Sequence, residues 1–186
     1  MNRGEEAYTE IRSAQELDPL SLIFINNAAE MQVERREFEA AYETCRRMSE
    51  MDPNYWPTQQ TLVYAYVSQG RYQEALITAQ KSVELSGRAN ASLAQLGFTL
   101  GRLGRRAEAE AIVRELEAKY ENKTADARDV ADVYVGLGVK DKAFEWLEKG
   151  FAYHSFNLAG LPLDPLLDSL HDDPRWSDLK RRIGLP

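Results

Sequence analysis

Catalysis or metal binding in this sequence would have to run through two histidines, His154 and His171, one cysteine, Cys45, and the acidic residues near them. His171 precedes Asp172 and Asp173, a grouping able to hold a cation or pass a proton. Asp173 is followed by Pro174, however, and an Asp-Pro pair at the start of a helix accounts for that turn without chemistry. Neither histidine has a serine or cysteine in a convincing nucleophile–base pairing. A single cysteine excludes an intrachain disulfide and a thiolate zinc site. Gly97, Gly101 and Gly104 fall at helix positions rather than in a phosphate-cradling loop. The acidic residues, such as Glu34 with its arginine neighbours, read as solvated helix faces. The sequence is therefore read as a non-enzyme that needs no cofactor and no metal.

Composition narrows the partners. The 186 residues are 44% hydrophobic and 28% charged, enough apolar material for a core and enough charge for solubility. A net charge of -7 argues against nucleic acid, whose phosphates need a basic face. Two local basic runs, Arg102, Arg105 and Arg106 and then Lys180, Arg181 and Arg182, sit near helix ends, where cations complement the backbone dipole. No run approaches the roughly 20 apolar residues of a membrane helix, and no signal-peptide-like stretch opens the sequence. A soluble, cytoplasmic segment is expected, or an extracytoplasmic one if a membrane helix lies upstream.

The elements that position these residues follow a period of 34. Ala7, Ala41, Ala75, Ala109 and Ala143 keep it, and Gly70, Gly104 and Gly138 repeat it five residues ahead of their alanines. Pro19, Pro53 and Gly87 form a third series. Such a period marks a repeat array. Full frames run over 22–55, 56–89, 90–123 and 124–157, after a half frame at 1–21. Each holds two helices, the first with apolar residues at helical spacing, such as Leu93, Leu96 and Leu100. A compact residue (Ala29, Val63, Gly97, Ala131) lets the second helix approach. Glycine then closes the first helix, and Arg36 in its place predicts a less tightly specified turn. Cys45 shares a packing position with Ile11, Ala79, Val113 and Leu147 and is expected to be buried.

The spacing of small residue, tyrosine, glycine, alanine and proline resembles the tetratricopeptide repeat, most closely from Thr58 to Ser86. Two positions depart from the pattern. Ile25, Gln59, Leu93 and Ala127 stand where a large aromatic is usual, and Ser155 takes the last closing-proline place. The resemblance implies an all-α, right-handed α-solenoid of helical hairpins with a short C-terminal helical cap. It further implies a protein-binding scaffold whose first helices line a concave groove. Asn26, Asn27, Glu30, Gln60, Tyr64, Gln95, Phe98, Arg102 and Arg128 are the expected groove residues. Their amides can donate and accept toward a peptide backbone, and Tyr64 and Phe98 would serve as anchors. Only Asn27 and Arg128 match a carboxylate clamp of the kind that holds chaperone C-termini, so that mode is not expected.

The ends differ from the middle. The half frame matches a second helix only, its stripe of Ala7, Ile11, Ala14 and Leu17 lacking a first helix to cover it. A fragment of a longer array is the expectation, with a second copy able to pair on that open face. Residues 158–186 leave the repeat. Asp164-Pro165 and Asp173-Pro174 predict two capped helices, the second sealing the last hairpin with Trp176, Leu179 and Ile183. This tail, with Ala143 to Lys149, is similar to one in bacterial tetratricopeptide proteins that carry a winged-helix transcription-factor or serine/threonine kinase domain. The alternative that follows is an oligomerisation or regulatory module of such a protein. No residue of either module is present here.

Overall fold

Each 34-residue frame folds as two helices joined by a tight turn. The structure, a computed structural model, describes residues 9–11, 13–15, 17–152 and 163–184. The hairpins pair α1 (Leu22–Glu34) with α2 (Phe38–Met51), α3 (Pro57–Ser68) with α4 (Tyr72–Leu85), α5 (Asn90–Arg102) with α6 (Arg106–Glu121), and α7 (Ala127–Gly136) with α8 (Lys140–Ala152). A 3-10 turn, Pro165–Leu170, and α9 (Pro174–Arg182) follow. The described residues between 9 and 17 are helical and lead into α1. No strand occurs among the described residues, as an all-α solenoid requires.

The turns explain the period. At each one, two consecutive backbone N–H groups reach back to the end of the first helix: Gly70 to Val67 O and Arg71 to Tyr66 O, Gly104 to Gly101 O and Arg105 to Leu100 O, Gly138 to Val135 O and Val139 to Tyr134 O. This satisfies carbonyls the helix would otherwise orphan, and it needs one residue with positive φ. Glycine supplies it in three hairpins. In the first, Arg36 adopts φ 61° and donates to Val33 O, while Glu37 donates to Gln32 O. The turn at Arg36 is thus as regular as the others, contrary to the looser geometry its side chain predicts. The two backbone hydrogen bonds hold an exposed arginine where glycine would cost less.

Small residues set how closely the helices pack. Ala29, Val63 and Ala131 on the first helices, and Ala41, Ala75, Ala109 and Ala143 on the second, are fully buried. Each second helix also rests on the first helix of the next hairpin, and first helices stack on one another. The tightest approach is between α5 and α7. A Cβ on Gly136 would lie 2.3 Å from the Phe98 carbonyl oxygen, and one on Gly101 only 2.5 Å from the Gly136 carbonyl carbon. A continuous apolar core runs from Val63 to Leu179.

The two Asp-Pro pairs cap as their sequence predicts. Asp164 Oδ1 accepts from Leu166 N at 2.8 Å, and Asp173 Oδ1 from Arg175 N at 3.1 Å. Only the second opens an α-helix; the first opens a 3-10 turn. Trp176 and Leu179 of α9 are buried, and Ile183 packs at the edge of the core. Arg175 stands over the Phe144 ring and bonds Asp141, and Arg182 stands over Phe151 and bonds Glu148, all on α8. The turn 165–170 goes elsewhere: it lies against α3 and α7, on the face made by the first helices.

Candidate functional site

On that face, the N-terminus of α7 organises an ionic group. Asp126 caps the helix by accepting from Arg128 N at 2.9 Å, and Asp129 returns the bond by accepting from Asp126 N at 3.0 Å. This fixes the first turn and aims the Arg128 side chain. Its Nε donates to Asp132 Oδ1 at 2.7 Å, one helical turn on, and its Nη2 donates to Asp164 Oδ2. Asp164 therefore uses one oxygen to cap its own 3-10 turn and the other to meet α7. Behind it, Leu166, Leu167 and Leu170 are each at most 1% exposed. Burying each contributes about 1.5–3 kcal/mol, so the leucines dominate the docking and the ion pair orients it.

Carboxylates outnumber cations here. Arg128 serves both Asp132 and Asp164, and burial pushes the Asp132 carboxyl up to about 7, with the nearby Asp164 charge adding to the effect. Glu30 on α1 is also raised, mainly by burial and further by Asp164, although the Asn26 amide bond opposes the shift. Tyr64 on α3 is pushed well above its ordinary range by burial and then by Asp164. A pocket of about 180 Å³ remains beside the segment, lined by Glu30, Val33, Glu34, Tyr64, Leu163, Asp164 and Pro165.

The groove residues expected from sequence divide in two. Glu30, Asn27, Gln60 and Tyr64 are half-buried, with Glu30 and Tyr64 in the pocket and Tyr64 touching both parts of the apolar core. The others need correcting. Asn26 is buried between α1 and α3, donating to Glu30 Oε1 at 2.8 Å and accepting from Thr61 Oγ1 at 3.0 Å. Gln95 is buried between α3 and α5, where Nε2 donates to Gln60 O at 3.3 Å and Oε1 has no partner. Phe98 is a core residue, 3% exposed. Arg102 is exposed, with Nε already donating to Tyr72 Oη at 3.2 Å. Arg128 is buried in the ionic group rather than open to a ligand. Asn26, Gln95 and Phe98 fall on the seam between adjacent first helices, where stacking consumes them. Asp164 and the three leucines are what sequence reasoning did not place here; its cap signal was visible, its destination was not.

The remaining reactive groups take structural places. Cys45 is buried and its thiol pushed up to about 12 by burial, so it stays protonated. The His171 ring lies 4.8 Å from that of Trp176, and the described residues contain no cluster able to hold a metal. The arginines of the basic runs are engaged: Arg105 with Glu108, Arg106 with Glu110, and Arg182 with Glu148. His154 and Ser155 lie outside the described residues, as does Ala7. Of the N-terminal stripe, Ile11 and Ala14 are half-buried and Leu17 is 88% exposed. No described helix is long and apolar enough to cross a membrane.

Stacked hairpins of this geometry define an α-solenoid. Its second hairpin matches the tetratricopeptide repeat, over residues 57–88, which span α3 and α4. The structure of TTC0263, a thermophilic tetratricopeptide protein in Thermus thermophilus, is similar over 97% of this chain and 88% of its own, with a TM-score of 0.65 at 20% identity. That of MamA is similar over 86% of this chain and 98% of its own, with a TM-score of 0.51 at 14% identity. No curated protein matches the sequence. The fold is a tetratricopeptide-type solenoid, and at these identities the likeness to solved structures concerns fold.

Proposed function

We propose that this chain is a non-catalytic scaffold that holds a peptide or protein segment against the face of its first helices. The tetratricopeptide fold fits a protein-interaction role in general. What supports this face in particular is that a short segment already lies on it, residues 163–170, seated by leucines and an Arg128–Asp164 pair. Glu30, Gln60 and Tyr64 are the side chains left for a ligand beside it. The test is selection of random displayed peptides on the full chain, followed by hydrogen exchange of the complex. New protection over α1 and α3, around Glu30, Gln60 and Tyr64, is expected. Protection confined to the second helices would overturn the assignment, as would a selection that enriches nothing.

A second reading, self-association at the N-terminal end, is favoured by Leu17, Leu20 and Ile23, which are 88%, 75% and 62% exposed. Neighbouring apolar side chains this exposed suit an interface. Such a role would serve oligomerisation of a fused regulator. Light scattering over a concentration series decides it: Leu20→Glu with Ile23→Glu should abolish any dimer, and a wild-type chain monomeric throughout excludes it.

A further inference from the structure

The segment on the first-helix face carries its own recognition pattern. Asp164 heads it, Pro165 fixes the first helical position, and Leu166, Leu167 and Leu170 form one buried stripe. The other polar side chains point away from the contact: Asp168 reaches only Arg36, at 3.9 Å in an exposed pair, and Ser169 is exposed. On the receptor side stand one guanidinium held by its own helix and an apolar floor from α3 and α7. The carboxylate enters beside Asp132 and Glu30, and Arg128 is the cation paired with it among the described residues. An apolar or basic peptide would leave Arg128 without its second carboxylate; one with a head acid and spaced leucines satisfies both halves.

Resting on the scaffold reading above, we infer that the face is a receptor for a carboxylate-headed leucine turn, Asp-x-Leu-Leu-x-x-Leu, and that residues 163–170 fill it in cis as a built-in competitor. The partner is thus an acidic, leucine-rich segment of another protein, and it binds by displacing the chain's own copy. Affinity for such a partner is the groove's intrinsic affinity reduced by the fraction of chains with the segment docked. The feature that makes the face self-occluded is also a record of what it accepts.

The probe is a fluorescent peptide of sequence Leu-Asp-Pro-Leu-Leu-Asp-Ser-Leu, read by anisotropy against the full chain. Asp164→Asn weakens the cis copy without altering the groove. The peptide should bind that variant about ten-fold more tightly than wild type, on the scale of a charged hydrogen bond. Changing the peptide's first Asp to Asn should remove the gain, and Arg128→Gln should make the two peptides indistinguishable. Equal binding to wild type and Asp164→Asn, or no preference for the acidic peptide, overturns the inference. A readout on the wild-type chain stands beside these: excess peptide should release the backbone amides of Leu167 and His171 to hydrogen exchange, and unchanged protection at saturation counts against displacement. A wild-type dimer with segments exchanged between copies would replace the partner by a second copy and overturn the cis assignment. If library peptides of unrelated pattern bind the face while this one does not, the scaffold reading survives and the inference fails; if neither binds, both fall.

Discussion

Arg128 shows how one side chain can be read correctly as polar and near the N-terminus of a first helix yet wrongly as free. Its guanidinium sits between Asp132 and Asp164 with Asp129, Glu30 and Tyr64 around it, a group with more acid than base. The pH consequence follows from linkage. An aspartate ordinarily titrates near 3.9, and burial raises Asp132 to about 7, so between those values the folded chain binds more protons than the unfolded one. Asp129, raised to about 6 by burial, acts in the same direction. Stability should therefore fall as pH rises from about 5 through 7, and Asp132→Asn should flatten that slope. Urea melts at pH 5.5, 6.5 and 7.5 test this, and a wild-type stability that climbs across that range would contradict it.

At the scale of the element, turn and seam make separate predictions. Arg36 keeps the left-handed φ that glycine holds at the equivalent places, so Arg36→Gly should stabilise the chain by up to about 1 kcal/mol. The exposed, long Arg36–Asp168 pair it removes is worth little. A thermal melt lower than wild type would show that the arginine side chain matters more than its backbone. Gly136→Ala is the opposite case, since its Cβ would meet backbone of α5 rather than a side chain that can move. Prising α5 from α7 should cost about 1–3 kcal/mol. A denaturant midpoint within error of wild type would mean the two helices separate without penalty.

In an ordinary solenoid each repeat touches only its neighbours, and stability is a sum of repeats and adjacent interfaces. Here the segment 163–170 breaks that rule, touching α3 and α7, lining a pocket with α1, and pairing Asp168 with Arg36. It ties the first hairpins to the last. Leu167→Ala should cost about 2–5 kcal/mol, as for a fully buried leucine, and should raise hydrogen exchange in α1 and α3 as well as in α7. If exchange rises only in α7, the bridge is local. Much of the fold was legible beforehand because each signal is short-range. Gly70, Gly104 and Gly138 mark turns by their φ, Ala41 and its equivalents mark close approach, and Asp164 and Asp173 mark caps. The candidate site was legible only in part. Glu30 and Tyr64 do line the face, whereas Asn26, Gln95 and Phe98 are spent on stacking one first helix against the next.

What the sequence determined by itself was therefore the hairpin, its period and its punctuation, because hydrogen bonds and helical spacing act within about five residues along the chain. Tertiary structure decided which polar residues remain for a partner and where the tail goes. Arg128 and Asp164 lie 36 residues apart, and no local periodicity pairs them. Their meeting depends on the stacking of the first helices and on three leucines that are buried against that face.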